Sequence, residues 1–298
     1  MYGRLDDVAG DAGHLDHPPR MGFFTDTSVC IGCKACEVAC KQWNGVPAGD
    51  ELNLLGMSHD NTGSLGADSW RHVAFIEQPA PPRPAASAPV DIGMPSTSLP
   101  GNGREATAGQ DLRWLMASDV CKHCTHAGCL DVCPTGALFR TEFGSVVVQQ
   151  DICNGCGYCV SACPYGVIER RPGDGRAQKC TLCYDRLHGG LEPACAKACP
   201  TDSIQFGELD ELRERAAARV EALQARGVDT ARLYGADPDD GVGGNGAFFL
   251  LLDEPEVYGL PPDPVVPTRD IGRMWAFVGA AAAGFLAAAV GSFVGRGR

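Results

Sequence analysis

The sequence is poor in aromatic residues and in positive charge. Phe, Trp and Tyr make up 7% of its 298 residues, and 25 Lys and Arg are outnumbered by 37 Asp and Glu, giving a formal net charge of −12. Nucleic-acid binding needs clustered cations that neutralise phosphates, and the chain has no Lys- or Arg-rich run. We therefore expect no nucleic-acid partner.

Targeting and catalytic motifs are also missing. Residues 1–20 contain no apolar segment of the kind found in secretory signal peptides. The chain has no phosphate-binding GxxxxGK(S/T) loop, no Ser-centred nucleophile elbow and no HExxH helix. Gly241, Gly243 and Gly246 match GxGxxG, but they follow a polar turn and precede a predicted strand, which favours a loop over a dinucleotide site. We predict a chain without an active site of its own.

Cysteine, in contrast, is abundant and ordered. The 16 cysteines form four groups of four, and the last two members of every group are separated by three residues. Group I is Cys30, Cys33, Cys36 and Cys40; group II is Cys121, Cys124, Cys129 and Cys133; group III is Cys153, Cys156, Cys159 and Cys163; group IV is Cys180, Cys183, Cys195 and Cys199. Groups II, III and IV end in Cys-Pro. This internal repeat predicts a fold built from copies of one small unit.

The spacing favours iron-sulfur clusters. A C-x2-C-x2-C loop places three thiolates around one compact cluster, while the fourth Cys, often before Pro, reaches a different cluster. A zinc site takes two ligands from each C-x2-C pair and leaves the third and fourth cysteines without a role, but zinc stays open as a remote alternative. Disulfides also stay open, although they suit short secreted chains.

Cross-ligation of this kind predicts which groups share clusters. Groups II and III are close in sequence and should pair, which leaves groups I and IV as an outer pair. We expect four [4Fe-4S] clusters, held at site 1 by Cys30, Cys33, Cys36 and Cys199; at site 2 by Cys180, Cys183, Cys195 and Cys40; at site 3 by Cys121, Cys124, Cys129 and Cys163; and at site 4 by Cys153, Cys156, Cys159 and Cys133. With every cluster fully ligated by thiolates, electron conduction is favoured over catalysis.

Several charged or titratable residues lie within or beside the cysteine groups: Lys34, Lys122, Lys179, Lys197, His123 and His126. The lysines either raise the reduction potentials by offsetting cluster charge or are ordinary surface residues. Because the cysteines already complete the ligand sets, we interpret both histidines as residues next to a cluster or exposed to solvent, and not as iron ligands.

The remaining sequence predicts few regular elements. Residues 137–140 and 145–149 flank Gly144 as a hairpin, residues 208–226 show a helical apolar period that stops at Gly227, and residues 247–252 form a strand. Residues 78–110 are rich in Pro, Ala, Ser and Gly, which predicts a flexible insertion. The uncharged run from Met274 to Val294 is long enough to cross a bilayer, so we expect the chain to contact lipid.

Sequence segments around this frame resemble the iron-sulfur beta subunits of membrane-bound formate dehydrogenases, within the wider group of four-cluster subunits of molybdopterin oxidoreductases. The resemblance begins near Gly22. It is carried by GFFTDTSVCIGCKACEVACKQWN, by Trp114-Leu115, by KCTLCYDRLHGGLEPACAKACPT, by the loop 241–244, and by YGLPPDP ahead of the single C-terminal apolar segment. The cysteine frame specifies the wider group, and YGLPPDP with the C-terminal segment favours the formate dehydrogenase branch.

The resemblance implies an α+β fold with two ferredoxin-like dicluster modules, inserted loops and one C-terminal transmembrane helix. It implies a non-catalytic subunit that carries electrons from a formate-oxidising molybdenum or tungsten pterin subunit to a haem b membrane subunit and quinone. It also implies a cluster domain on the extracytoplasmic side of the cell membrane, although the two arginines on each side of the anchor leave both orientations open. The same role in a hydrogenase or a sulfur-compound reductase is the nearest alternative.

These expectations divide the chain into six parts. They are an N-terminal extension at 1–21; an outer module at 22–77 and 180–227; the insertion at 78–110; an inner module at 111–179; a partner-contacting tail at 228–268; and the anchor at 274–294.

Overall fold

The computed structural model describes residues 5–48, 59–79 and 112–295. Residues 80–110 of the predicted insertion lie outside the described residues. Helices and strands are both present, and the strands form one four-stranded sheet and three two-stranded sheets in the described ranges.

The four-stranded sheet joins the beginning of the chain to its last third. It contains β1 (Met21–Asp26), β8 (Ile204–Glu208), β9 (Arg232–Tyr234) and β10 (Ala247–Leu251). The order is β8-β1-β10-β9, with β1 parallel to β10 and antiparallel to β8. Every residue of β10 is buried, as expected for an unbroken apolar run in an inner strand. The predicted tail at 228–268 therefore supplies two strands of this sheet.

One amphipathic helix covers the sheet. Helix α6 (Leu209–Gln224) lies within the predicted range 208–226 and is followed by Gly227, whose φ is +85°. Leu209, Leu212 and Ala216 of this helix are buried against Phe24 and Phe248, whose rings stack with centroids 5.4 Å apart. Because the three helix residues are spaced by three and four positions, their side chains share one helix face.

Three hairpins accompany the sheet. They pair β2 (Arg71–Pro79) with β3 (Leu112–Val120), β4 (Leu138–Arg140) with β5 (Val146–Val148), and β6 (Glu169–Arg170) with β7 (Ala177–Gln178), all antiparallel. The β4–β5 hairpin is the predicted one. The long β2–β3 hairpin was not predicted, because its two strands are separated in sequence by the Pro- and Ser-rich segment 80–111.

Five short helices begin within or next to the cysteine groups. They are α1 (Ala35–Asn44), α2 (Gly128–Asp131), α3 (Tyr158–Ser161), α4 (Tyr184–His188) and α5 (Ala194–Lys197). Helix α1 packs against α5, and α2 packs against α3. These contacts bring group I to group IV and group II to group III.

The last described element is the long helix α7 (Ile271–Gly295). Its segment Ile271–Ser292 is long and apolar enough to cross a membrane, and none of its most apolar window is buried inside the protein. A helix that is apolar all round and unpacked is typical of a membrane span and not of a soluble surface. The predicted anchor at 274–294 lies within this helix.

Candidate iron-sulfur sites

The four cysteines predicted for site 1 line a single cavity. Cys30, Cys33, Cys36 and Cys199 face it together with Ser118 and Thr201, among other residues. Cys36 and Cys199 both oppose the ionisation of Cys30, as neighbouring thiolates do. The cavity is formed where the loop before α1 meets the Cys-Pro turn after α5. Group I therefore supplies three sulfurs and group IV supplies the fourth.

Site 4 repeats this arrangement in the other half of the molecule. Its cavity is lined by Cys153, Cys156, Cys159 and Cys133, as the cavity of site 1 is lined by its own four cysteines. Cys133 is followed by Pro134 and Thr135, as Cys199 is followed by Pro200 and Thr201. In each turn the Thr Oγ1 lies 3.8 Å from the Cys Sγ. The sequence repeat is thus a repeat in structure.

The remaining eight cysteines form two inner sets. At site 2, Cys40 interacts electrostatically with Cys195 and Cys183, and Asn44 Nδ2 lies 3.7 Å from the Cys40 Sγ and 3.8 Å from the Cys183 Sγ. Cys180, the fourth member, interacts with all three of these thiols. At site 3, Cys124 interacts with the thiols of Cys121, Cys129 and Cys163. Each of the four predicted sets is therefore brought together.

The sulfurs surround spaces and do not converge on a point. In the described part of the chain, no group of three or more His, Cys, Asp or Glu side chains is placed to hold a single metal ion. A cubane cluster has iron at four corners and takes one thiolate at each, so its ligands stand apart around a central volume. The donor set and its spacing at sites 1 and 4 fit a [4Fe-4S] cluster.

Burial raises the pKa of several of these thiols, so the thiolate form is disfavoured unless a positive charge lies nearby. Burial and neighbouring thiolates raise the pKa of Cys40 to about 12, and burial raises that of Cys129 to about 12 and that of Cys159 to about 11. Metal ligation requires the thiolate, so iron loading at these positions must release protons.

The four sites form one line of neighbours. Cys36 of site 1 interacts with Cys195 of site 2, Cys180 of site 2 with Cys121 of site 3, and Cys129 of site 3 with Cys159 of site 4. Exposed cysteines occur only at the two ends, Cys33 at site 1 and Cys156 at site 4. The series 1-2-3-4 therefore has an exposed cysteine at each of its two ends.

Buried cations lie between the sites. Lys179 is 2% exposed, and its Nζ donates to the carbonyl oxygens of Val146 and Cys180. Burial lowers the pKa of Lys179, but the thiols of Cys121, Cys129 and Cys180 outweigh that effect and raise it above its ordinary value. Since these thiols belong to sites 2 and 3, the ammonium group lies between those two sites.

The other lysines next to the cysteine groups differ in exposure. Lys122 is 1% exposed and forms an ion pair with Asp119, while the Lys197 side chain is 72% exposed and pairs with Glu192. Lys34 is half-buried and pairs with Glu37 and Asp60. The surface interpretation fits Lys197 only, and Lys122 and Lys179 are core residues.

The two histidines are not equivalent. His123 is 2% exposed, burial lowers its pKa well below the ordinary value, and its Nδ1 accepts the backbone N–H of Val146 at 3.1 Å. The imidazole is therefore neutral and lies next to Cys124 in the chain, and its buried Nε2 has no hydrogen-bond partner among the described residues. His126 is half-buried, and burial lowers its pKa as well.

Sequence reasoning missed one charged residue. Arg71 is 1% exposed, and it interacts with thiols of sites 1 and 2. It lies between Cys40 and Cys121 in the chain, distant in sequence from both, at the start of the unpredicted strand β2. No cysteine-group motif contains it, so only the β2–β3 pairing reveals its position.

Comparison with known proteins agrees with this geometry. Models of 4Fe-4S dicluster domains match residues 29–137 and residues 112–209. The nitrate-inducible formate dehydrogenase iron-sulfur subunit of Escherichia coli K12 is 38% identical over 280 residues, covering 93% of this chain and 84% of that protein. The formate dehydrogenase iron-sulfur subunit of Haemophilus influenzae is 38% identical over 255 residues, covering 84% and 72%.

This chain belongs to the family of formate dehydrogenase iron-sulfur subunits. A more distant relative is the B subunit of the anaerobic dimethyl sulfoxide reductase of E. coli, 32% identical over 198 residues, which cover 66% of this chain and 77% of that protein. Membership confirms the predicted resemblance, and the two dicluster domains with one candidate membrane helix confirm the α+β fold class.

Family membership also bears on cofactor and role. Two dicluster domains and 16 cysteines fit four [4Fe-4S] clusters, as in formate dehydrogenase iron-sulfur subunits. The relatives are iron-sulfur subunits and not catalytic subunits, so the role of this chain is electron transfer without catalysis of its own. The candidate span Ile271–Ser292 is consistent with a single-pass membrane anchor.

Proposed function

We propose that this chain is the electron conduit of a membrane-bound formate dehydrogenase. In this proposal a catalytic subunit with a molybdenum or tungsten pterin centre delivers electrons from formate to site 1, and site 4 delivers them to a haem b membrane subunit that reduces quinone. Bound [4Fe-4S] clusters would supply one-electron redox chemistry. The sixteen cysteines hold them in the four sets defined above as sites 1 to 4.

One observation carries the proposal: the four cysteine sets are neighbours in a single series, and its exposed cysteines lie at the two ends alone. Cys33 and Cys156 are exposed, and every cysteine of site 2 is buried, while site 3 has one buried and three half-buried cysteines. An electron relay between two partners needs an accessible site at each end and insulated sites between them. A structural scaffold has no such need.

The surface around site 1 suits a protein partner. Ile31 is 58% exposed, Val38 is 66% exposed and Trp43 is 46% exposed, and all three lie on the loop before α1 or on α1 itself. Of these, Ile31 also lines the cavity of site 1. Exposed apolar side chains at the opening of a site are a feature of protein interfaces. We assign the surface at Ile31, next to this cavity, to the catalytic subunit.

The anchor supports a membrane partner. Helix α7 is apolar along its length, and its apolar window is not buried against the rest of the described structure. We propose that it crosses the bilayer beside the haem b subunit and that the cluster domain lies outside the cytoplasmic membrane. Protease treatment of intact spheroplasts should digest the cluster domain; protection until the membrane is opened would place it in the cytoplasm.

The role is tested on the complex isolated in mild detergent. Formate should reduce the iron-sulfur signals of this chain and then a quinone analogue, and Cys199→Ser should slow quinone reduction while leaving formate oxidation by an artificial dye intact. Quinone reduction at the unsubstituted rate in Cys199→Ser, with the cluster at site 1 perturbed, would place the chain outside the electron path.

A second candidate is the same conduit in a sulfur-compound reductase or a hydrogenase. The similarity to a dimethyl sulfoxide reductase subunit favours the first of these, but it covers 66% of this chain against 93% for the E. coli formate dehydrogenase subunit. Cluster reduction by hydrogen, or cluster oxidation by a sulfoxide, in a preparation indifferent to formate would select the alternative.

A further inference from the structure

Arg71 lies in the interior at the start of strand β2. Its Nη1 donates to the carbonyl oxygen of Ser118 at 3.2 Å and to the Ser118 Oγ at 3.0 Å. Its guanidinium stands over the ring of Phe23, with the Cζ 4.9 Å from the ring centroid. The antiparallel pairing of β2 with β3, in which Arg71 faces Val120, fixes this position.

The guanidinium is incompletely satisfied by the protein. Its Nε and Nη2 are buried and have no oxygen or nitrogen partner among the described residues, and the guanidinium interacts as a hydrogen-bond donor with the Cys195 thiol. A buried charged group with unpaired N–H donors is costly unless negative charge lies close by. These donors of Arg71 therefore require an anionic group nearby. No oxygen atom of the described residues fills this role.

Four cysteine thiols interact electrostatically with the Arg71 guanidinium. The thiols that interact with Arg71 are those of Cys195, Cys36, Cys180 and Cys40, of which Cys36 belongs to site 1 and the other three to site 2. Ser118, which holds the Nη1, also places its Oγ 3.2 Å from the Cys36 Sγ. Arg71 is thus linked to site 1 through Ser118 and faces site 2 directly.

A fixed positive charge at this position has a definite redox effect. Reduction adds one negative charge to a cluster, and a nearby buried cation stabilises the more negative state, since screening by water is weak in the interior. Arginine keeps its charge at every physiological pH, so the effect does not depend on proton uptake.

We propose that Arg71 is shared by sites 1 and 2 and raises the reduction potentials of both clusters together. This inference rests on the proposed function, because it requires clusters at the two sites. Since the thiols around Arg71 belong to sites 1 and 2, its charge makes the entry half of the relay electrically distinct from the exit half.

The test is a redox titration of the purified complex followed by electron paramagnetic resonance. In Arg71→Gln, two of the four midpoint potentials should shift to lower values and two should stay in place. Arg71→Lys, which keeps the charge, should restore both. Iron content is measured on every variant, so that loss of a cluster is not mistaken for a shifted potential.

A matched control is available in the same hairpin. Arg113 lies on β3, is half-buried, and its Nη2 donates to the carbonyl oxygen of Leu252. Arg113→Gln removes an arginine of the same chemistry whose hydrogen bonds are to oxygen atoms, and it should leave all four potentials unchanged.

The outcomes separate the inference from the proposed function. Two lowered potentials in R71Q with recovery in R71K support the inference. Loss of iron in R71Q with full iron in R71K would assign Arg71 to cluster loading and would overturn its proposed role in setting the potentials. Unchanged potentials in R71Q, equal shifts in both variants, or failure of both to load iron would overturn it. Failure of the proposed function would show in the unsubstituted complex, as missing clusters or indifference to formate.

Discussion

The fourth cysteine of each group determines which parts of the chain are tied together. Cys199 lies far from group I in sequence, yet it lines the same cavity as Cys30, Cys33 and Cys36. We predict that Cys199→Ser perturbs the cluster held by Cys30. The control is Cys195→Ser, which should perturb the site 2 cluster instead.

This pairing can be contradicted by spectroscopy. If Cys199→Ser altered only the signal that Cys183→Ser also alters, Cys199 would belong to site 2. Electron paramagnetic resonance of the reduced complex, with each variant compared to the unsubstituted protein, distinguishes the two assignments.

The buried ammonium group of Lys179 is expected to influence the clusters at two sites. Its ammonium group interacts with thiols of sites 2 and 3, so Lys179→Met should lower the potentials of those two clusters. A shift on the order of 60 mV corresponds to about 1.4 kcal/mol for one electron. Lys197→Met is the matched control, since the Lys197 side chain is 72% exposed and solvent screens its charge. Equal shifts in the two variants would contradict the account.

Residue spacing predicts the cysteine sets but not the cations. The x2-x2-x3 pattern of groups I and III and the Cys-Pro turns identify the sulfurs because cluster ligation imposes local spacing. The sequence indicates that Lys179 lies near a cluster because it precedes Cys180. Arg71 is not adjacent to any cysteine group in the sequence. The position of a buried cation is decided by tertiary packing. The sequence around it shows no periodic pattern that would reveal this position.

At the scale of elements, the loop before α1 is held tightly by the β2–β3 hairpin. Gly32 has φ of +65°, and a Cβ built there would lie 2.6 Å from both the Met116 Sδ and the Phe75 Cε1. Gly32→Ala should displace the loop and reduce iron at site 1, with a stability loss above the roughly 1–2 kcal/mol of left-handed strain alone. Iron analysis and the thermal midpoint measure both effects.

The control for Gly32 is Gly45, at the C-terminal end of the helix that follows the Gly32 loop. Gly45 caps α1 with φ of +59°, and a Cβ there would meet nothing within 4 Å. Gly45→Ala therefore carries the backbone strain without the collision. If it lost as much iron as Gly32→Ala, the contact with Met116 and Phe75 would not be what holds the loop.

Elements with strong local signals were predicted well. The helical period of residues 208–226 and the apolar run 247–252 correspond to α6 and β10, with ends shifted by a residue or two. Strand pairing is harder to predict from the sequence. No local pattern shows that β10 lies parallel to β1. Likewise, no local pattern shows that β2 pairs with β3, which follows it in sequence after residues 80–111. Such pairing is decided by side chains that are distant in sequence.

For the whole molecule, the cysteines account for the low aromatic content of the chain. The largest buried apolar cluster contains cysteines of all four groups beside Phe23, Val73 and Leu182. Cysteine side chains thus take core positions that aromatic side chains fill in many proteins, which agrees with an aromatic content of 7%.

The anchor is separable from this core. Because none of the apolar window of α7 is buried against the protein, truncation before Ile271 should release the chain from membranes without lowering its iron content. Fractionation of membranes and iron analysis of the released protein check this prediction. Loss of iron on truncation would mean that α7 supports the cluster domain.

Iron and acid-labile sulfide analysis of the anaerobically purified protein shows whether the sixteen cysteines hold four [4Fe-4S] clusters. We expect about sixteen iron atoms and about sixteen sulfides for each chain. Zinc without sulfide, or an iron count near half that value, would contradict it.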